Sequence, residues 1–133
     1  MVSHAMMSLE MMHRVSSDTV KGEQPDLTGR QFALLLAIFM RPGPHAVRDL
    51  ARDLDMPKPA ISRALTVLEN HGFVRRKKDR RDKRDISVHR TVKGAVFLYD
   101  YGENVAHRAE ETASCLRWIP ASRSPAPTLP TAH

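Results

Sequence analysis

Apolar residues recur along this chain at helical spacing in three successive stretches, and the pattern then switches to alternation. Thr28 and Gln31 stand at capping-box spacing, with Thr28 as N-cap. The residues after them are apolar nearly all round: Phe32, Leu34, Leu35, Leu36, Ile38 and Phe39. Such a helix is normally buried on most sides. Arg41-Pro-Gly-Pro44 stops it near Met40, since neither proline continues the ladder. Val47, Leu50, Ala51 and Leu54 fall at i, i+3, i+4, i+7 and predict a two-turn amphipathic helix. Asp55-Met56-Pro57 then makes a tight turn. Ile61, Ala64, Leu65 and Leu68 repeat the core spacing. Lys58 precedes a proline and so avoids helical geometry, which makes it the expected N-cap, with Pro59 the first helical residue. Gly72 supplies a left-handed stop.

The next stretch, Phe73 to Arg90, has the sequence FVRRKKDRRDKRDISVHR. It opens on an apolar pair, passes through a dense basic segment and closes on the alternation Ile86, Ser87, Val88, His89. That predicts a β-hairpin with a highly charged tip. A short helix followed by a basic hairpin is the outline of a winged helix-turn-helix. The expected fold class is therefore mainly α with a small β-hairpin: a winged helix-turn-helix over residues 26–91, flanked by N- and C-terminal helices.

The flanks carry less pattern. Val2, Ala5, Met6, Leu9, Met12 and His13 line one side of a helix that runs to Val15, and residues 1–20 are assigned as an N-terminal helix and dimerisation element. Its stripe is expected to pack on the body of the domain or on a second chain. Ser16 to Pro25 is polar and is expected to be a loop. Thr91 can cap a last helix, residues 92–119, whose stripe is Val92, Ala95, Val96, Tyr99, Ala106, Ala109, Ala113 and Leu116. That helix is the second expected dimerisation element. Residues 120–133 are rich in Pro, Ser, Ala and Thr and are expected to form a disordered tail.

Composition narrows the function. A chain of 133 residues suits one domain, and a net charge of +6 with a pI near 10.0 favours an anionic partner. The basic residues concentrate between Arg41 and Lys93. In a helix-turn-helix the second helix lies in the major groove. Lys58, Ser62, Arg63 and Thr66 occupy the turns that would reach base edges there. Arg75, Arg76, Lys77, Lys78, Arg80, Arg81, Lys83 and Arg84 offer phosphate partners along the hairpin, and an arginine at its tip suits the narrow, negative minor groove. Asp82 and Asp85 are unwelcome beside phosphate, so Asp82 is expected to pair with an arginine and shape the tip.

A family resemblance is carried by Leu27-Thr-Gly-Arg-Gln31, Asp49-Leu-Ala51, Pro59-Ala-Ile-Ser-Arg-Ala-Leu65, Leu68-Glu69, His71-Gly-Phe-Val74, Asp82-Lys-Arg84 and Thr91-Val-Lys-Gly94. In order and spacing these resemble the MarR family of bacterial transcription regulators, over about Leu27 to Gly94. The resemblance implies that Asp82 pairs within the wing, that Arg84 enters the minor groove, and that Arg63 takes the place of the recognition-helix arginine. Three departures stand out. Ala46 occupies a position where the family commonly has a capping threonine. Lys83 replaces the middle arginine of the wing signature, keeping the charge but losing the planar fork. The family usually adds a further C-terminal helix, whereas this chain turns proline-rich after Ile119, so the dimer contact is expected to be smaller, built differently, or replaced by a partner.

The expected function is sequence-specific binding of double-stranded DNA by a cytoplasmic homodimer, as a repressor of transcription. A small-molecule effector is left open. The alternative reading is a winged-helix module that pairs with another protein and has no DNA binding of its own. No nucleophile–base pair, phosphate loop or carboxylate pair points to an enzyme, and no cofactor is expected. The seven histidines are scattered without paired ligand spacing, so no metal is expected. Cys115, the single cysteine, is expected to be a packed thiol, and Trp118 and Tyr99 to anchor helix packing. The longest apolar run, Phe32 to Met40, is too short to span a bilayer.

Overall fold

The computed structural model describes residues 3–78, 80 and 85–118. Among these, the elements run α1 (His4–Lys21), α2 (Gly29–Met40), β1 (His45–Ala46), α3 (Val47–Asp53), α4 (Lys58–Asn70), β2 (Val74–Lys78), β3 (Ile86–Arg90) and α5 (Val92–Trp118). They belong to two units: Pro25–Asp100, and residues 1–24 together with 101–133. The expectations for Arg81, Asp82, Lys83 and Arg84, for Val2, and for segment 120–133 lie outside the described residues. So do those for the side chains of Leu116 and Trp118.

The Pro25–Asp100 unit is the winged helix-turn-helix that the hydrophobic spacing predicts. Thr28 caps α2 through a complete capping box: its hydroxyl accepts from the Gln31 N–H, and the Gln31 side chain accepts from the Thr28 N–H. Leu34, Leu35 and Ile38 of α2 meet Leu50 and Ala51 of α3, and Ile61, Ala64, Leu65 and Leu68 of α4. Phe73, Val74, Val88 and Phe97 close the core, and the Phe73 and Phe97 rings stack 4.5 Å apart. Each fully buried Leu, Ile or Phe contributes roughly 1.5–3 kcal/mol by leaving water. At the end of α4, Gly72 takes φ 79°, a left-handed turn that glycine enters without steric cost.

The hairpin is present, but the sheet has a third strand that the alternation did not predict. The strand order is β1-β3-β2, antiparallel throughout. β1 is two residues long and pairs His45 with Val88 and Ala46 with Ser87. Two residues carry no periodicity, so only the partner strand defines it. Ala46 contributes no side-chain cap to α3, as its residue type implied. At the far end of α2, Arg90 Nε donates to the Ile38 carbonyl at 3.1 Å and its Nη2 donates to the Arg41 carbonyl, while His45 Nε2 lies 3.1 Å from the same Ile38 oxygen. Carbonyls that the helix leaves without partners are thereby satisfied.

Two boundaries differ from expectation. Pro57, not Lys58, is the N-cap of α4; its carbonyl accepts from the Ala60 and Ile61 N–H groups. Lys58 is helical although it precedes a proline, and Pro59 sits in the first turn, where its own missing N–H costs nothing. The segment expected as a loop from Ser16 is helical through Lys21. There the Ser17 hydroxyl donates to the His13 carbonyl at 2.8 Å and the Thr19 hydroxyl to the Val15 carbonyl at 3.1 Å. Polar side chains that would otherwise favour a turn are satisfied within the helix.

In the second unit α1 and the later part of α5 hold each other by charge. Arg108 donates to both Asp18 carboxylate oxygens, at 2.7 and 2.8 Å, and Asn104 Nδ2 adds a bond at 3.1 Å. Hydrogen bonds from Arg108 and Asn104 depress the Asp18 pKa to about 2. Arg14 bridges Glu10 and Glu111, each at 3.1 Å. Val15 and Thr112 are buried here. Of the expected stripe, Leu9 and Met12 remain about half exposed in the single chain. On α5, Val92, Ala95, Val96 and Tyr99 of the expected stripe face solvent in the single chain, and the core takes Phe97 and Leu98. Tyr99 is therefore not a packing anchor in this chain, and Cys115 is an exposed thiol, not a packed one. No helix among the described residues is long and apolar enough to cross a membrane.

Candidate nucleic-acid interface

The two faces of α4 are chemically opposite. Ile61, Ala64, Leu65 and Leu68 are buried, and between them Lys58, Ser62, Arg63 and Thr66 are exposed. Because the core stripe repeats every three or four residues, the intervening positions necessarily point outward. The four residues singled out on this helix thus share a solvent-facing surface. Lys58 and Ser62 also line an open cleft of about 500 Å³ with Val47, Arg48, Arg76 and Asp85.

The hairpin sorts its basic residues by strand parity. The register pairs Val74 with Arg90, Arg75 with His89, Arg76 with Val88, Lys77 with Ser87 and Lys78 with Ile86. Val74 and Val88 are buried, so alternation places Arg76 on the face turned toward the helices and Arg75 and Lys77 on the outer face. Arg75, Lys77, Lys78 and Arg80 are exposed.

Arg76 is different from its neighbours. Its Nε donates to Glu69 Oε1, its Nη1 lies 3.3 Å from Ser62 Oγ and 3.5 Å from the Ser62 carbonyl, and its Nη2 donates to Thr66 Oγ1 at 2.9 Å. Thr66 Oγ1 in turn donates to the Ser62 carbonyl at 3.0 Å. A wing residue is therefore bonded along the outer face of α4, where it bridges two of the four singled-out positions. The Arg76–Glu69 pair is about 70 % excluded from solvent on both sides, so it is less screened than a surface ion pair.

Glu69 escaped the sequence reading as a site residue, although a signal was there. Ser62, Thr66 and Glu69 stand at i, i+4 and i+7, one helical face. The parity of Val74 likewise places Arg76 inward. Arg48 was also missed. Its guanidinium lies 3.6 Å from Asp85, which ties α3 to the base of the wing and gives Asp85 a partner away from the outer basic surface. That contact is largely exposed and contributes little stability. Asp82 and Arg84, expected to structure and extend the tip, lie outside the described residues.

Comparison with known proteins agrees with this geometry. A family model described as "MarR family" matches residues 26–85. Transcriptional regulator HosA of Escherichia coli O157:H7 is 38 % identical over 76 residues, covering 57 % of this chain and 56 % of HosA. HosA of Escherichia coli O127:H6 is 39 % identical over the same length. The chain thus spans about half the length of the curated relatives it matches. Among solved structures, the transcriptional repressor CouR bound to a 23-mer DNA duplex superposes with a TM-score of 0.62 at 25 % identity, over 84 % of this chain and 73 % of CouR. The S. aureus MepR–DNA complex gives 0.66 at 22 % identity, over 85 % and 91 %, and supports the fold alone. Over its winged helix-turn-helix, residues 26–85, the chain is similar to the MarR family.

Proposed function

We propose that this chain is a transcription regulator that binds double-stranded DNA in a sequence-specific way, acting as a repressor in the cytoplasm. The observation that carries this reading is the pairing of one exposed polar helix face with one basic wing. Lys58, Ser62, Arg63 and Thr66 would face the major groove, and Arg75, Lys77, Lys78, Arg80, Arg81, Lys83 and Arg84 would meet phosphates and the adjacent minor groove. CouR, a repressor bound to a duplex, supports the choice of partner and of sign.

The functional unit in this reading is a homodimer. Leu9, Met12 and Val20 of α1 and Val92, Val96 and Tyr99 of α5 are large apolar residues left exposed by a single chain. A second copy would cover them, with residues 1–20 and 92–119 as the dimerisation elements. Two-fold symmetry would set the recognition helices about 34 Å apart, one turn of DNA. Light scattering at tens of micromolar is expected to show a dimer; monomer alone would refute this part.

A mobility-shift titration tests the DNA reading. Each neutralised phosphate releases counterions, so with roughly six or more contacts, raising salt from about 50 to 200 mM should weaken binding about a thousandfold. Affinity that does not respond to salt, or no shift with any genomic fragment, would instead favour a module that pairs with protein.

A further inference from the structure

We propose that Arg76, anchored by Glu69, fixes Thr66 as an acceptor-only contact, so that the base position facing Thr66 selects an exocyclic amine, adenine N6 or cytosine N4. The inference rests on α4 being the helix that reads DNA, and it names a specificity-determining residue of that site. It differs from the simpler role of Arg76 as one more phosphate contact.

A threonine hydroxyl has one proton and two lone pairs. In Thr66 the proton goes to the Ser62 carbonyl at 3.0 Å. One lone pair accepts from Arg76 Nη2 at 2.9 Å. What is left for a ligand is one lone pair and no proton. A guanidinium N–H aimed at the oxygen also repels a hydroxyl proton turned toward it, so the donor direction is held. Ser62 is not fixed in the same way. Its Oγ accepts from Arg76 Nη1 at 3.3 Å, and its own proton has no acceptor among the described residues. Ser62 can therefore donate or accept, whereas Thr66 can only accept.

Arg76 is well placed to impose this. It sits within β2 opposite Val88, so its backbone is fixed by the sheet. Its Nε is committed to Glu69, which sets the plane of the fork. Lysine in its place would carry the charge but could not reach both hydroxyls and the carboxylate with a single nitrogen.

In the major groove adenine N6 and cytosine N4 are donors, whereas guanine O6 and N7 and thymine O4 are acceptors. An acceptor-only Thr66 meets the first pair with a hydrogen bond and the second with lone-pair repulsion. A single hydrogen bond corresponds to a preference of roughly fivefold.

The test is selection of bound duplexes from a randomised pool, with wild type, Thr66→Val, Arg76→Ala and Glu69→Ala compared, and folding of each checked by circular dichroism. Thr66→Val removes the hydroxyl with little change of shape and identifies the position that it reads. Wild type is expected to enrich adenine or cytosine there about fivefold. Arg76→Ala should flatten that one position by letting the Thr66 proton turn to the base. Glu69→Ala, which leaves Arg76 in place without its anchor, should flatten the same position even as it raises overall affinity by removing a negative charge, and it serves if Arg76→Ala does not fold. If Arg76→Ala weakens all duplexes alike and the preference persists, Arg76 is a phosphate contact and the inference is wrong while the DNA reading stands. Removing the exocyclic amine from the enriched pair, with purine for adenine or 2-pyrimidinone for cytosine, should cost wild type about the same fivefold and Thr66→Val nothing, and an unchanged wild-type affinity would overturn the inference equally. If wild type enriches no sequence, the sequence-specific reading itself fails, and the inference with it.

Discussion

Glycine to alanine at two positions of the same helix should have opposite effects. Both Gly94 and Gly102 lie in α5, where alanine is intrinsically favoured by about 1 kcal/mol. A Cβ at Gly102 would meet nothing within 4 Å, so Gly102→Ala should stabilise by up to about 1 kcal/mol. A Cβ at Gly94 would lie 2.4 Å from the Phe73 carbonyl oxygen and 2.8 and 3.1 Å from two carbons of the Phe39 ring. An ordinary C···O approach is about 3.3 Å or more, so the first contact overlaps by nearly 1 Å. The obstacle is backbone, and it has little room to retreat: Phe73 follows the left-handed Gly72 and its ring is stacked on Phe97. Overpacking of a fixed core costs roughly 1–3 kcal/mol and sometimes more, and a clash with backbone belongs at the upper end. After the propensity gain is subtracted, Gly94→Ala should destabilise by about 2 kcal/mol or more. Urea unfolding followed by circular dichroism at 222 nm would place the midpoint of Gly94→Ala well below wild type and that of Gly102→Ala at or above it, with unchanged slopes. Equal midpoints for Gly94→Ala and wild type would show that α5 does not approach Phe73 this closely.

Further outcomes are expected at individual residues. Thr91 Oγ1 accepts from the Gly94 N–H at 3.0 Å and donates to the Gly72 carbonyl at 2.6 Å, so Thr91→Ala should cost about 1–2 kcal/mol in the same urea assay; an unchanged midpoint would deny the cap. Asp18 has its pKa lowered from 3.8 to about 2 in the folded chain, chiefly by Arg108, so its contribution is complete above pH about 4 and is lost as pH falls toward 2. A carboxyl titration by NMR should find the Asp18 midpoint near 2 in wild type, and a midpoint at the ordinary aspartate value would contradict the pairing. Arg84→Ala should weaken binding at all DNA sites and most at those with A·T-rich flanks, whereas Ser62→Ala, which removes a hydroxyl able to donate or accept, should cost about 1 kcal/mol with little change of base preference; intact binding by Arg84→Ala would make the wing tip a solvated loop.

The sequence by itself determined the elements whose cause lies within a few residues. The i, i+3, i+4, i+7 spacing in α3 and α4 requires an apolar face, and burial of that face leaves Lys58, Ser62, Arg63 and Thr66 outside. The capping box at Thr28, the left-handed Gly72 and the alternation of β3 are local in the same sense. The tertiary structure decided what depends on residues distant in the chain. Helix α1 continues through Ser16–Lys21, where Asp18 meets Arg108, a residue 90 positions away. Strand β1 exists because Ser87 and Val88 pair with it. Gly94 stood in the sequence as part of a motif without a reason, and the reason is the nearness of Phe73 and Phe39. Arg76 read as one cation in a run of eight, and only the packing of β2 on α4 separated it from the rest by offering it Glu69, Ser62 and Thr66. Local spacing fixes which face of an element is buried, because the backbone repeat is the same in every helix or strand. It does not fix which distant side chain meets the other face, because that depends on how the elements pack together.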